Sequence, residues 1–315
     1  MNRRTLLLAT GGLAALARHA HAATFPEREI TLILQFAAGG STDVATRALA
    51  AEAEKILGVP IQIVNRPGGQ GTIGPQTVAA ARPDGYTIGT SGLTSISVVP
   101  HILDVPYNRD SFTYLGAFAG YRYGLAVRTE SPFRTLADLI NHAKTRRTTF
   151  SATGAPNNLG VFAVGRLSGA RFQFIPFPSG AEAVTAAMGG HVDFVLQSPP
   201  EIMPNIQSGR MRLLAAGTAE RWPEQPDVPT FRELGYDVVI QATAGLVGPA
   251  GIPADRARIL SHALLTAARS PAYLTVLNRM GMLSEPLEGA EFERLARELF
   301  ITAGHSLREA GLARR

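Results

Sequence analysis

ITLILQFAAGGSTDVATRALAAEAEKILGVPIQIVN, residues Ile30 to Asn65, decides the fold class. Ile30 to Phe36 is a short apolar run of the kind a strand buried on both faces shows, and Pro60 to Asn65 is a second. Between them Ser41 to Gly58 has the period of a helix, with Ser41 or Thr42 as its cap, Asp43 in its first turn and Gly58 at its end. A second helix over Gly74 to Ala81, the turn Arg82-Pro83-Asp84-Gly85 and a third strand over Tyr86 to Thr90 complete βαβαβ. Such alternation predicts a parallel sheet covered by helices, with a binding crevice at the strand C-terminal ends.

The second strand runs into NRPGGQGTIG, in which Gly69, Gly71 and Gly74 have G-x-G-x-x-G spacing. A dinucleotide site also needs a carboxylate at the end of the following strand to hold the ribose. That strand ends in Thr90-Ser91, and Asp84 lies in the turn before it, so the fingerprint fails. No cofactor is expected.

Farther along, Thr113 to Ala119 and Tyr123 to Val127 read as strands, and from Leu136 to Ala216 helix and strand alternate again. After strands over Val238 to Gln241 and Gly245 to Pro249, the segments 254–269, 272–280 and 290–309 read as helices with no strand between them. Two α/β lobes and a helical tail are the minimal description.

Composition limits the function. Met1 to Arg4 is basic, Thr5 to Leu16 apolar, and Ala20-His21-Ala22 an A-x-A cleavage site, which together read as a signal peptide over residues 1–22. Arg3-Arg4 keeps the twin-arginine route open, with the general secretory route slightly favoured, and a periplasmic location is expected. Losing Arg3, Arg4 and Arg18 with the leader takes the net charge from +5 to +2. The short basic cluster Lys144 to Arg147 reads as a helix C-terminal cap, so nucleic acid is not an expected partner. With no cysteine in an exported chain, a packed core rather than disulfides must hold the fold.

Catalysis has little support. The chain has no G-x-S-x-G, no H-E-x-x-H and no cysteine, and His101, His142, His191, His262 and His305 lack metal-ligand spacing. Trp222 reads as a packing residue. What recurs instead is the strand-to-helix turn built from glycine and hydroxyls: Gly39 to Asp43, Gly68 to Gly74, Ser151 to Gly154 with Asn157 and Asn158, and Ser179-Gly180. Converging backbone N–H groups, hydroxyl donors and a helix N-terminus make anion sites without arginine. Any one of these turns is also an ordinary capped turn, but their recurrence in both lobes favours a shared crevice. Asp43, an acid, reads as a helix cap or as an acceptor that orients the Gly39-Gly40 loop.

Gly39-Gly40-Ser41-Thr42-Asp43, VNRPGGQGTIG, PDGYTI, SATGAPNNLG, AVTAAMGGHVDF, SGRMRLLAAGTAERWPEQPDVPTFRELGY and GPAGIPADRARIL, collinear from about Phe25 to the C-terminus, resemble the Bug-type receptors of the tripartite tricarboxylate transporter family. The resemblance implies a two-lobed periplasmic-binding-protein-like α/β fold of type II kind, each lobe a mainly parallel sheet flanked by helices, closing on a small carboxylate. It implies a first lobe of residues 23–123 and 245–315 and a second of 124–244. Ligand contacts are implied at Phe36, Gly39, Gly40, Ser41, Thr42, Asp43, Gly71, Thr72, Thr90, Ser91 and Ser95 of the first lobe. In the second they are implied at Ser151, Thr153, Gly154, Asn157, Asn158, Ser179, Gly180, Gln197 and Ser198. The implied partners are a small organic carboxylate and the membrane components of a transporter, with a monomer expected; a ligand-sensing subunit for a membrane kinase is the alternative. No metal site is expected.

Two departures bear on the ligand. Family members usually carry two prolines before the glycine pair, where this chain has Ala37-Ala38, and a tyrosine-lysine-glycine where it has Phe177-Pro178-Ser179. Losing a hydroxyl and a cation predicts a less charged or more apolar acid than a tricarboxylate.

Overall fold

The computed structural model describes residues 25–309 and 313–314, so the signal peptide of residues 1–22 lies outside the described residues. The first sheet opens as the sequence predicts. β1 (Ile30–Leu34) lies between β2 (Ile61–Asn65) and β3 (Thr87–Gly92), parallel to both. α1 (Ser41–Leu57) joins β1 to β2 and buries Ala45, Leu49 and Ala53, spaced four apart, so that one face meets the core. α2 (Ile73–Ala79) joins β2 to β3.

The cap of α1 falls before both of the residues predicted for it, Ser41 and Thr42. The N-cap is Gly40, which has no side chain to bond the first-turn N–H groups, and Ser41 is the first helical residue. The Ser41 N–H is therefore free for a partner from elsewhere. At the other end Gly58 takes the left-handed conformation (φ 71°) and its N–H bonds the Glu54 carbonyl, closing the helix as expected.

After the short helix α3 (Leu93–Ser97), the chain runs along β4 (Phe112–Arg122) and crosses at Tyr123 into β5 (Gly124–Arg128). The second lobe follows as α4 (Leu136–Thr145), β6 (Thr148–Ala152), α5 (Asn157–Ser168), β7 (Phe172–Pro176), α6 (Gly180–Met188), β8 (Phe194–Gln197), α7 (Pro199–Gln207) and β9 (Met211–Ala216). The chain returns through β10 (Gln241–Pro249) and ends with α8 (Ala254–Ala268), α9 (Pro271–Arg279), β11 (Leu287–Glu288) and α10 (Gly289–Glu309). Strand order is β11-β4-β10-β3-β1-β2 in the first sheet and β7-β6-β8-β5-β9 in the second.

Three expectations need correction. The sheets are mixed rather than mainly parallel, because in each one strand next to a crossing runs against both of its neighbours: β10 is antiparallel to β3 and β4, and β5 is antiparallel to β8 and β9. The two strands read over 238–249 are one, and it begins at Gln241, so Gln241 to Ala244 belong to the first sheet and not to the second lobe. The tail is not wholly helical, since β11 pairs with β4 at Leu287 and Glu288 and returns the chain to the sheet edge.

Where α10 packs on β10, Gly245 leaves room for the buried ring of Phe292; a Cβ there would sit 2.0 Å from the ring. The ring is fully buried and must shift to admit a Cβ, so Gly245→Ala is expected to destabilise by about 1–3 kcal/mol. A lower urea midpoint with unchanged slope would show it.

Candidate functional site

The lobes meet along one cleft, and its walls are the strand-to-helix turns. From the first lobe come Phe36, Gly40, Ser41 and Thr42 at the start of α1, and Thr90, Ser91 and Ser95 at the end of β3 and in α3. From the second come Thr153 after β6, Ser179 and Gly180 at the start of α6, and Gln197 and Ser198 between β8 and α7. The cavity between them is about 60 Å³, room for about two waters at the roughly 30 Å³ each takes in the liquid.

The cleft is closed. The Ala37 N–H donates to the Pro178 carbonyl across it at 3.3 Å, and the Ser41 N–H donates to Glu201 Oε1 at 3.1 Å. A Cβ on Gly154 would come within 2.7 Å of the Gln70 carbonyl oxygen, so backbone meets backbone between the lobes there as well. Gly154 has φ 146°, where L side chains are rare, so both its conformation and this approach call for glycine.

Chemically the wall is rich in hydrogen-bonding groups and poor in charge. Thr90 Oγ1, Ser91 Oγ, Gln197 Nε2 and Gln35 Oε1 have no hydrogen-bond partner within the chain, although their residues are only 2%, 0%, 3% and 6% exposed. Buried polar atoms are nearly always paired, so these four call for a ligand or water. Three can donate or are donors only, which suits an anion. Among the described residues the cavity is lined by no lysine, arginine or histidine, and Glu201 is its one carboxylate.

Glu201, in the first turn of α7, also accepts from the Ser198 hydroxyl at Oε2. Burial pushes its carboxyl above the ordinary glutamate range, against the pull of the bonds from Ser198 and Ser41. Tyr121 and Tyr123 stack with ring centroids 6.4 Å apart at the crossing of β4 into the second lobe, and the Tyr121 hydroxyl donates to Thr42 Oγ1 at 3.0 Å. Burial holds both phenols protonated, and the nearby Glu201 charge adds to the effect.

Other residues nominated from the sequence lie behind the wall. Asp43 Oδ2 accepts from the Gly39 N–H at 3.1 Å and from Arg47 Nε at 2.9 Å; its Oδ1 accepts from Arg47 Nη2 at 2.9 Å and Asn65 Nδ2 at 3.0 Å. It orients the glycine loop, the second of its two sequence readings. Ser151 donates to the Ala183 carbonyl, Asn157 to the Leu196 carbonyl, and the Asn158 side chain accepts from the Leu159 N–H. Gly39 borders a separate surface groove beside α6 and α7, Thr72 bonds the Gly69 carbonyl, and Gly71 backs the Phe36 ring, 3.3 Å from its own Cβ position.

Burial raises the Asp43 pKa but the bonds from Arg47, Asn65 and Gly39 outweigh it, leaving the carboxyl below its ordinary value. Its stabilisation is thus present above the unfolded pKa and is lost as pH falls through the lower folded one. Asp43→Ala leaves the Gly39 N–H unpaired and removes one of the Asn65 amide's bonds, its Nδ2 still donating to the Phe36 carbonyl, and is expected to cost about 2 kcal/mol at neutral pH, allowing for a half-exposed Arg47. In urea titrations the gap from wild type should close as pH falls below about 4.

Sequence reasoning missed Glu201, Gln35, Tyr121 and Tyr123. Ser198-Pro-Pro-Glu201 has the S-x-x-E spacing of a capping box, yet Ser198 makes no side-chain cap and Glu201 reaches across the cleft. That unused spacing was the available signal.

Comparison with known proteins agrees with this geometry. The family model described as the tripartite tricarboxylate transporter family receptor matches residues 45–312. The UPF0065 protein of the gbd 5′ region of Cupriavidus necator is 31% identical over 96% of this chain and 94% of its own. Protein BugT of Bordetella pertussis is 29% identical over 88% and 86%. Among solved structures, MatC from Rhodopseudomonas palustris with bound malate superposes with a TM-score of 0.82 at 27% identity, covering 89% of this chain and 99% of MatC. Rpa4515 of R. palustris with adipate gives 0.80 at 25% identity over 92% and 99%. A two-lobed α/β fold, a closed cleft walled by donor-rich turns and a family match over most of the length lead to one conclusion: the chain belongs to the tripartite tricarboxylate transporter receptor family, as a Bug-type member.

Proposed function

We propose that this protein is a periplasmic receptor that closes on a small organic carboxylate and delivers it to the membrane components of a tripartite tricarboxylate-type transporter. One observation carries the reading: side chains of both lobes that line the same cavity, Thr90 and Ser91 on one side and Gln197 on the other, carry buried polar atoms without a partner in the chain. An acid bridging them would stabilise the closed form by its better contacts there, and no chemical step is needed for that. Both walls come from one chain, which is consistent with a working monomer. The malate and adipate bound by the two structural neighbours support carboxylates as the class.

A thermal-shift panel of mono-, di- and tricarboxylates, amino acids and aromatic acids on the mature protein tests this. At about 100 times its Kd, a ligand of the folded state adds about 2.7 kcal/mol of stability, a readily measured rise in Tm. Absence of a shift with every acid, in protein that mass spectrometry shows to be free of a copurified ligand, would contradict the reading.

A further inference from the structure

Glu201 is out of place in a cleft built to attract acids. It sets its own carboxylate against the first N–H of α1, a helix of 17 residues whose N-cap Gly40 supplies no side-chain acceptor. A long helix with a bare N-terminus draws a negative group to that point. Here the negative group comes from the opposite lobe, and Ser198 holds its other oxygen. Elsewhere on the wall, Thr90, Ser91 and Gln197 keep polar atoms with no partner in the chain. The cleft therefore offers one acid position filled from within and one donor set still open. No cationic side chain lines it to offset a second ligand charge beside Glu201.

We propose that Glu201 occupies, from within the chain, the place one carboxylate of a dicarboxylate would take at the start of α1, so that the cleft selects a monocarboxylate whose far end is uncharged or donates a hydrogen bond. The inference rests on the receptor reading above. It sets this chain apart from the neighbours holding malate and adipate, which are both diacids. It also gives a structural cause for the preference that the Phe177-Pro178-Ser179 departure predicts.

Calorimetric titration of the mature wild-type chain and of Glu201→Gln with the matched pairs butyrate and succinate, 2-hydroxybutyrate and malate, and hexanoate and adipate tests it. For pairs that bind, the wild type should take the monoacid at least about 10-fold more tightly, as like charges brought together disfavour the diacid. Glu201→Gln should shrink that ratio about 10-fold or more, through gained diacid affinity. A wild type that binds the diacids as well or better overturns the proposal and leaves the receptor reading standing, and that comparison needs no variant to fold. An unchanged ratio in a folded Glu201→Gln also overturns it. Binding of no acid by the wild type would remove the receptor reading, and the proposal with it.

Discussion

Cysteines placed at Gly40 and Ser179 are expected to form a disulfide that locks the cleft shut, slowing ligand entry and exit by on the order of 100-fold or more because exchange needs the lobes to part. The geometry is favourable. A Cβ built on Gly40 lies 3.8 Å from the Ser179 Cβ, close to the mean for disulfides. Gly40 has φ −80° and Ser179 φ −143°, both open to an L side chain, and the natural chain has no cysteine to compete. Ser179 caps α6 by accepting from the Glu182 N–H, so its loss costs about 1 kcal/mol. The cross-link closes a loop longer than the roughly 100 residues for which loss of unfolded-chain entropy alone predicts about 4.7 kcal/mol, and the oxidised protein should be the more stable one. Stopped-flow binding before and after reduction measures the effect. Equal rates in both forms would mean that the lobes need not separate.

The second large effect is on affinity. Replacing Thr90 by Val and Ser91 by Ala together should weaken binding of the preferred acid by about 100-fold or more, because hydrogen bonds to a charged group contribute about 1.5–3 kcal/mol each. Stability should hold or rise. Neither hydroxyl has a partner in the chain, so removing it relieves a buried unpaired group while the shape of the wall is kept. That combination separates the roles: a structural hydroxyl lowers stability when lost, and a ligand-facing one lowers affinity. Calorimetry and urea denaturation on one sample give both numbers.

The turns that wall the cleft were legible in the sequence because they obey local rules. Glycine, hydroxyls and a helix start within a few residues of a strand end show wherever the chain goes next, and Gly40 to Thr42 and Ser179-Gly180 were found that way, whereas Phe36, Thr90, Ser91 and Gln197 came only from the family resemblance. Depth was not legible. Ser151 and Asn157 have the same chemistry and lie in the same kind of turn, but their side chains bond carbonyls of the second lobe behind the wall. Only the packing of α6 and β8 decides which way they face. Contacts across the cleft were hidden for a related reason: Ser41 and Glu201 are 160 residues apart, and each had a local explanation as a cap. β11, two residues long, carries too little pattern to stand out between helices.

A crystal structure of the mature protein grown with the acid that gives the largest thermal shift bears most directly on the proposed role. The account predicts the acid between the lobes, its carboxylate within hydrogen-bond distance of the Thr90 and Ser91 hydroxyls and of Gln197 Nε2. An acid bound anywhere else, or lying in the cleft with those three groups still unpaired, would contradict it.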